Sequence, residues 1–199
     1  MRTKHHHKVK WNEHMIARAL AMFVFERKHL VIVPNCNWTG DELDLLVVTR
    51  ELRIIDVEIK ISRADLKADI KKDKWFHNYN WELDGPWSEF KYENRRPRQF
   101  PTRVWKHYYA LPKSIWSDDL KSHISPQSGV IVMNQHDSGD GRVFADIVRR
   151  AKPCIDAEKI NAEDAIAIAR LASLRMWKTY EKLNQLTHDL KEMQNEKVS

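Results

Sequence analysis

Apolar and polar positions recur along this chain with two different periods, and the changes of period mark its elements. From Trp11 to Glu26, Ile16, Ala17, Leu20 and Val24 fall three and four apart, which predicts a helix with Asn12 as a cap near its start. His29 to Val33 is a short β-branched run closed by Pro34 and predicts a strand. Leu43 to Lys60, LDLLVVTRELRIIDVEIK, predicts two more strands joined by Thr49-Arg50-Glu51. Arg63 to about Phe76 predicts a helix capped by Ser62. Val104 to Leu111, Gly129 to Met133 and Arg142 to Val148 predict three further strands, with an Asp/Gly-rich turn from Asn134 to Gly141 before the last. After Pro153 the helical period returns from Asp156 to about Asn195, starting near Asn161 or Ala162. Its stripe, Ile166, Ala169, Ala172, Leu174, Trp177, Leu183 and Leu186, is expected to pack on the sheet, or else on another subunit. The residues from Lys191 to Ser199 are expected to fray.

The hairpin carries the chemistry. Side chains two apart on a strand share a face, so Glu58 and Lys60 project together while Val57 and Ile59 point the other way. If Val48 pairs with Leu52, Asp44 lies opposite Asp56, on the face of Glu58. Two carboxylates and an ammonium then meet at one end of an apolar hairpin. Such carboxylates suit a hard divalent cation, with water and a substrate phosphate completing its shell. The ion would polarise the phosphoryl oxygen, and the lysine would orient the attacking water or stabilise charge. A structural Glu58–Lys60 ion pair accounts for the same residues equally well. Glu13 falls on the apolar side of the first helix, where a carboxylate needs a partner or a metal. A first-turn acid favoured by the helix dipole is the alternative. Asp41 and Glu42 add acids in the loop before Asp44.

Composition narrows the partners. The chain has 199 residues, 42% of them hydrophobic and eight of them Trp, enough to bury the core of one domain with an appendage. A net charge of +6 and a pI of about 9.3 suit a polyanion such as nucleic acid. Cys36 and Cys154 fit neither a disulfide framework nor a zinc spacing, so a reducing, cytoplasmic setting is expected. The run Ala19 to Phe25 is too short to span a bilayer, so no membrane is expected. The start, MRTKHHHKVK, lacks an apolar signal core; residues 1–10 read as a disordered basic tail in which His5, His6 and His7 are incidental. Lys67, Lys71 and Lys74 recur at helical spacing beyond Ser62 as a cationic edge for phosphates, or as a solvated face. From His77 to Arg103, Trp81, Trp87, Phe90, Tyr92 and Phe100 interleave with basic residues, while Pro86, Pro97 and Pro101 argue against one long helix. Such a mixture suits stacked bases, though Trp81 and Trp87 fit packing onto the body as well. Arg95, Arg96 and Arg98 are best suited to a DNA backbone. No internal repeat, phosphate loop or nucleophile elbow is visible.

Asp44, a short apolar strand and then Glu58-Ile59-Lys60 form the pattern of the PD-(D/E)xK nuclease superfamily. The continuation is Ile61-Ser62, Asp65, Asp69, Lys74-Trp75, Tyr108-Tyr109-Ala110-Leu111-Pro112 and Gly129-Val130-Ile131-Val132. With these blocks the stretch from Glu13 to Ala151 resembles the MmcB-like DNA repair proteins of that superfamily. The resemblance implies an α/β fold with a restriction-endonuclease-like αβββαβ core, a mixed central sheet flanked by helices. The nuclease domain would span 11–152, with an insertion at 77–103 where those proteins have much less chain, and 153–199 would be a helical extension. The resemblance further implies a deoxyribonuclease using one or two Mg²⁺ or Mn²⁺ ions in DNA repair, recombination or phage DNA processing. Asp44 and Glu58 would be direct ligands, the Ile59 carbonyl a third, Glu13 an accessory ligand, and Lys60 the residue acting on water. The products would carry a 5′-phosphate and a 3′-hydroxyl. The expected partner is DNA, single- or double-stranded, with a homo-oligomer left open. The alternative is a catalytically inactive nucleic-acid-binding protein of the same fold.

Overall fold

The computed structural model describes residues 10–26, 29–135 and 143–196; nearly all of the expected basic tail and most of the expected turn at 134–141 lie outside them. Its frame is a six-stranded mixed sheet in the order β1-β2-β3-β4-β5-β6. The strands are β1 (His29–Cys36), β2 (Leu43–Thr49), β3 (Ile54–Ile59), β4 (Lys106–Pro112), β5 (Gly129–Gln135) and β6 (Val143–Arg149). β1, β2 and β3 run antiparallel, β3, β4 and β5 parallel, and β6 returns antiparallel. The parallel β3–β4 step needs a crossover. It contains the helix α2 (Arg63–Asp69) and the whole 77–103 insertion with its single-turn helix α3 (Trp81–Asp84). Pro34 sits in β1, where an edge strand tolerates its missing donor.

One face of the sheet is apolar throughout. Leu45, Val47, Val57, Ile59, Ala110 and Ile131 pack there under Ile16 and Leu20. These two come from the helix α1 (Glu13–Ala19) and the π-helical turn Leu20–Val24 that continues it. Asn12 caps α1 by accepting the Met15 N–H at 2.8 Å. The opposite face is divided. Leu46, Val48 and Ile54 pack under Ile160, Ala165 and Ile168, the last two from the long helix α4 (Ala162–Glu196). Tyr109, Leu111, Val130 and Val132 pack under Leu66, Trp75 and Leu120. Between these two apolar fields runs a polar row from β3 and β4. Gly129 is required where it stands: a Cβ there would lie 2.3 Å from the Tyr108 ring.

Several expectations change. The hairpin loop is longer than Thr49-Arg50-Glu51: Leu52 adopts a left-handed φ of 59°, and the loop closes where the Thr49 N–H donates to the Arg53 carbonyl and the Arg53 N–H to the Thr49 hydroxyl. With Leu52 taken into the loop, Val48 pairs with Ile54, and Leu46, not Asp44, lies opposite Asp56. The helix expected to reach Phe76 ends at Asp69 and gives way to a 3-10 turn at Asp73–Trp75. The C-terminal stripe is corrected in part. Ala172 packs against the second field, but Ile166 is 69%, Trp177 62% and Leu186 60% exposed. The helix outruns the sheet that was to cover it, and remains helical to Glu196.

Candidate functional site

Asp56 and Glu58 from β3 and His107 and Tyr109 from β4 share the polar row, because Asp56 pairs with His107 and Glu58 with Tyr109 in the parallel ladder. Asp69, the last residue of α2, is carried over the row as Leu66 of that helix packs into the third field. Ser62 holds the helix start by accepting the Asp65 N–H at 3.1 Å. Lys60 lies just past β3 and reaches Glu58 at 2.7 Å and Asp69 at 2.8 Å. Lys74 reaches Glu58 at 2.6 Å and Asp56 at 3.5 Å. The half-exposed Lys72 reaches Glu58 at 3.2 Å and Asp69 at 3.0 Å. Asp69 also accepts from the Tyr109 hydroxyl at 2.6 Å and the Trp75 indole at 3.2 Å.

The electrostatics follow from burial. Burial alone would favour neutral carboxyls, but Lys74 and Lys60 outweigh it at Glu58 and hold that group below its ordinary range. Asp69 is likewise held low against burial by Lys74 and Lys60. Lys60 is held above its ordinary range because Glu58 and Asp69 outweigh its own burial. At Asp56, with no carboxyl hydrogen bond, burial wins and the pKa rises. Burial and the Lys74 charge keep His107 neutral. Its Nε2 lies 3.4 Å from the Lys74 ammonium and 3.5 Å from an Asp56 oxygen, and its Nδ1 2.8 Å from the Ser128 hydroxyl.

Asp44 stands at the margin of this network. Its Oδ2 accepts the Ile59 N–H at 2.7 Å, which ties the end of β2 to the Glu58-Ile59-Lys60 segment. Burial first, and the Glu58 charge second, push its pKa up to about 6. Asp44, Ile59, Glu13, His14, Pro34 and Asn35 line a cleft of about 140 Å³. Glu13 is exposed on its rim, not turned into the core as its helical spacing suggests; of the stripe that follows it, Ile16 and Leu20 are buried while Ala17 and Val24 are half-buried.

The proposed donor set passes a test of fit in part. Asp56, Glu58 and Asp69 face the ammonium groups of Lys60, Lys72 and Lys74, with Asp44 at the margin. A cation in the cleft would lie beside Glu13, Asp44 and Ile59, and its charge would favour the ionised form of Asp44 against burial and the Glu58 charge. Glu58 is the strained part of the fit: one oxygen faces Lys60 and Lys72 and the other Lys74. Among the described residues, the three-residue grouping close enough to share an ion is instead His188, Asp189 and Glu192, on α4.

The expected DNA contacts separate into two kinds. Lys67 and Lys71 are exposed. Lys74, expected on the same cationic edge, is 4% exposed; the helix ends at Asp69, and the 3-10 turn directs Lys74 inward to Glu58. Arg95, Arg96 and Arg98 are taken up by partners in the insertion and in the turn just before it. Arg95 pairs with Asp73 at 2.5 Å and covers the Tyr92 and Phe76 rings. Arg96 binds Asp84 at 2.7 Å, and Arg98 donates to the Thr102 hydroxyl and, through its backbone, to Trp75. Trp87 stacks on Phe90 with Tyr79 against both, yet Trp87 stays 67% and Trp81 64% exposed. His107 and Lys72 were not singled out from the sequence. The alternation His107-x-Tyr109 was the available signal for the first; for Lys72, nothing in its neighbours distinguishes it from Lys71.

No family model matches this chain, and no curated protein matches it. The solved structure of SPO1766, a protein of unknown function from Silicibacter pomeroyi, resembles it with a TM-score of 0.50 and 17% identity, covering 88% of this chain and 94% of its own. That likeness concerns the mixed α/β fold alone.

Proposed function

We propose that the chain is a metal-dependent DNA nuclease of the PD-(D/E)xK kind, acting in DNA repair, recombination or phage DNA processing. The observation that carries this reading is the hydrogen bond from Ile59 to Asp44, beside a Glu58–Lys60 contact of 2.7 Å. It joins the residues of the D…ExK pattern at one end of a hairpin next to a cleft. The element order α1-β1-β2-β3-α2-β4 supports a restriction-endonuclease-like αβββαβ core. Asp44, Glu13 and the Ile59 carbonyl would hold Mg²⁺ or Mn²⁺, with Glu58 joining once Lys72, the half-exposed member of its cage, withdraws. When bound, the ion supplies polarisation of the phosphoryl oxygen and a lowered pKa for water.

The chain's own groups do the rest. Lys60 stays protonated and donates hydrogen bonds toward the attacking water or the developing phosphorane charge. Asp69, with Tyr109 and Trp75 behind it, fixes the position of the Lys60 ammonium. Exposed Lys67 and Lys71 attract the backbone of the substrate.

A second reading has its own observation. Glu58 and Lys60 are 0% and 2% exposed and satisfied by internal partners, as in a nucleic-acid-binding protein that keeps the fold without cutting. Incubation of the pure chain with end-labelled DNA, with Mg²⁺ or Mn²⁺ and with chelator, separates the two. Fragments that need the metal support the nuclease, whereas a mobility shift with intact DNA supports the second reading.

A further inference from the structure

We infer that the outer part of α4 is a self-association arm that pairs antiparallel with the same segment of a second copy of this chain. This is independent of the nuclease reading. Near its start the helix belongs to the body: Ala165 and Ile168 are buried, and Arg175 donates to the carbonyl oxygens of Pro34 and Asn35. Beyond Arg175 it runs on to Glu196, about 30 Å at the helical rise.

The apolar residues of that arm keep a coiled-coil period. Met176, Thr179, Leu183, Leu186, Leu190 and Met193 alternate steps of three and four. They continue the stripe that Ala165 and Ala172 begin against the body. Met176 is 46%, Leu183 55%, Leu186 60%, Leu190 56% and Met193 51% exposed. Such a seam suits one helical partner over its whole length. Its charges exclude a lipid interior: Lys178, Glu181, Lys182, His188, Asp189, Lys191 and Glu192 ring the same segment. No described helix is long and apolar enough to cross a membrane.

Self-complementarity identifies the occupant. A twofold axis between Asn184 and Gln185 places Met176 on Met193 of the second copy, Thr179 on Leu190, and Leu183 on Leu186. The same register sets Lys182 beside Asp189 of the second copy, and symmetry repeats the pair. Parallel pairing in the same heptad frame would instead set Lys182 by Thr187 and Asp189 by Gln194, with no opposite charges meeting. The seam with Tyr180 at its edge offers roughly 500 Å² per copy; with flanking side-chain stems it approaches the ~800 Å² per partner of a standard interface. An interface of that size, without a larger body contact, belongs to the weak, concentration-dependent end of association.

Sedimentation velocity on the full chain over a concentration series tests this. The expected result is a monomer–dimer equilibrium that Leu183→Asp with Leu186→Asp abolishes, while the thermal transition of the sheet stays in place. Lys182→Glu alone should weaken the dimer about ten-fold, and adding Asp189→Lys should restore it. A chain that stays monomeric at about 200 µM overturns the proposal and leaves the seam to a different protein. So does a dimer indifferent to the Leu183 and Leu186 changes. Failure of Asp189→Lys to rescue Lys182→Glu overturns the antiparallel register.

Discussion

Asp44 is held near 6 by burial and by Glu58, so at neutral pH the folded protein carries a carboxylate it would sooner protonate. A raised acid pKa contributes stability that is fully present below the unfolded value near 4 and is lost as pH rises through about 6. Asp44→Asn keeps an acceptor for the Ile59 N–H and removes the charge. At pH 8 the variant should therefore melt about 2–4 °C higher, a gain of about 1 kcal/mol after discounting for solvent at this partly exposed group. On the nuclease reading, the same variant should lose metal-dependent cleavage. Calorimetry beside a cleavage assay checks both, and a destabilised variant would show that the carboxylate is structural. Lys60 behaves in the opposite way. Lys60→Ala takes from Asp69 its nearest buried cation and leaves Glu58 with Lys74 as its buried partner, and should cost about 3–5 kcal/mol in denaturant unfolding. Lost activity in that variant is meaningful only where the protein is shown to be folded.

At the scale of elements, two acid–arginine pairs tie the insertion at 77–103, Asp84 with Arg96 inside it and Asp73 with Arg95 across its boundary. Asp84 is held low by its hydrogen bond from Arg96 and by the Asn80 N–H. Asp73 is held low by Tyr92 and then Arg95. Depressed acid pKa values contribute stability present above the unfolded value near 4 and lost as pH falls through the folded value. Tryptophan fluorescence should therefore report loosening around Trp81 and Trp87 below about pH 4. Asp84→Asn should shift part of that change into the neutral range; an identical acid profile would place the pH sensitivity elsewhere. The prolines in this stretch ruled out a long helix, and the structure has only one turn at Trp81–Asp84. What its arginines bind was hidden, because their carboxylate partners lie 12 and 22 residues away in sequence.

On the scale of the whole molecule, a net charge of +6 describes a surface whose useful cations are fewer than the composition suggests. Lys60 and Lys74 are buried, and Arg95 and Arg96 are paired, whereas Lys67 and Lys71 lie exposed near α2. If DNA crosses this end of the sheet, Lys67→Ala with Lys71→Ala should reduce the salt slope of binding by about 2, at roughly 0.9 per phosphate contact. An unchanged slope would move the DNA path to another face.

Local pattern determined where the strands fall, the caps Asn12 and Ser62, the start of α4 near Asn161, and the pairing of Glu58 with Lys60, since each depends on neighbours a few residues apart. It did not determine the hairpin register, which turned on the left-handed backbone of Leu52. Tertiary structure alone decided that Asp69, Lys72 and Lys74 close over Glu58, because α2 had to end before its charged stripe did. It also decided where α4 leaves the sheet, since a helix's period says which face is apolar but not how far the surface beneath it extends.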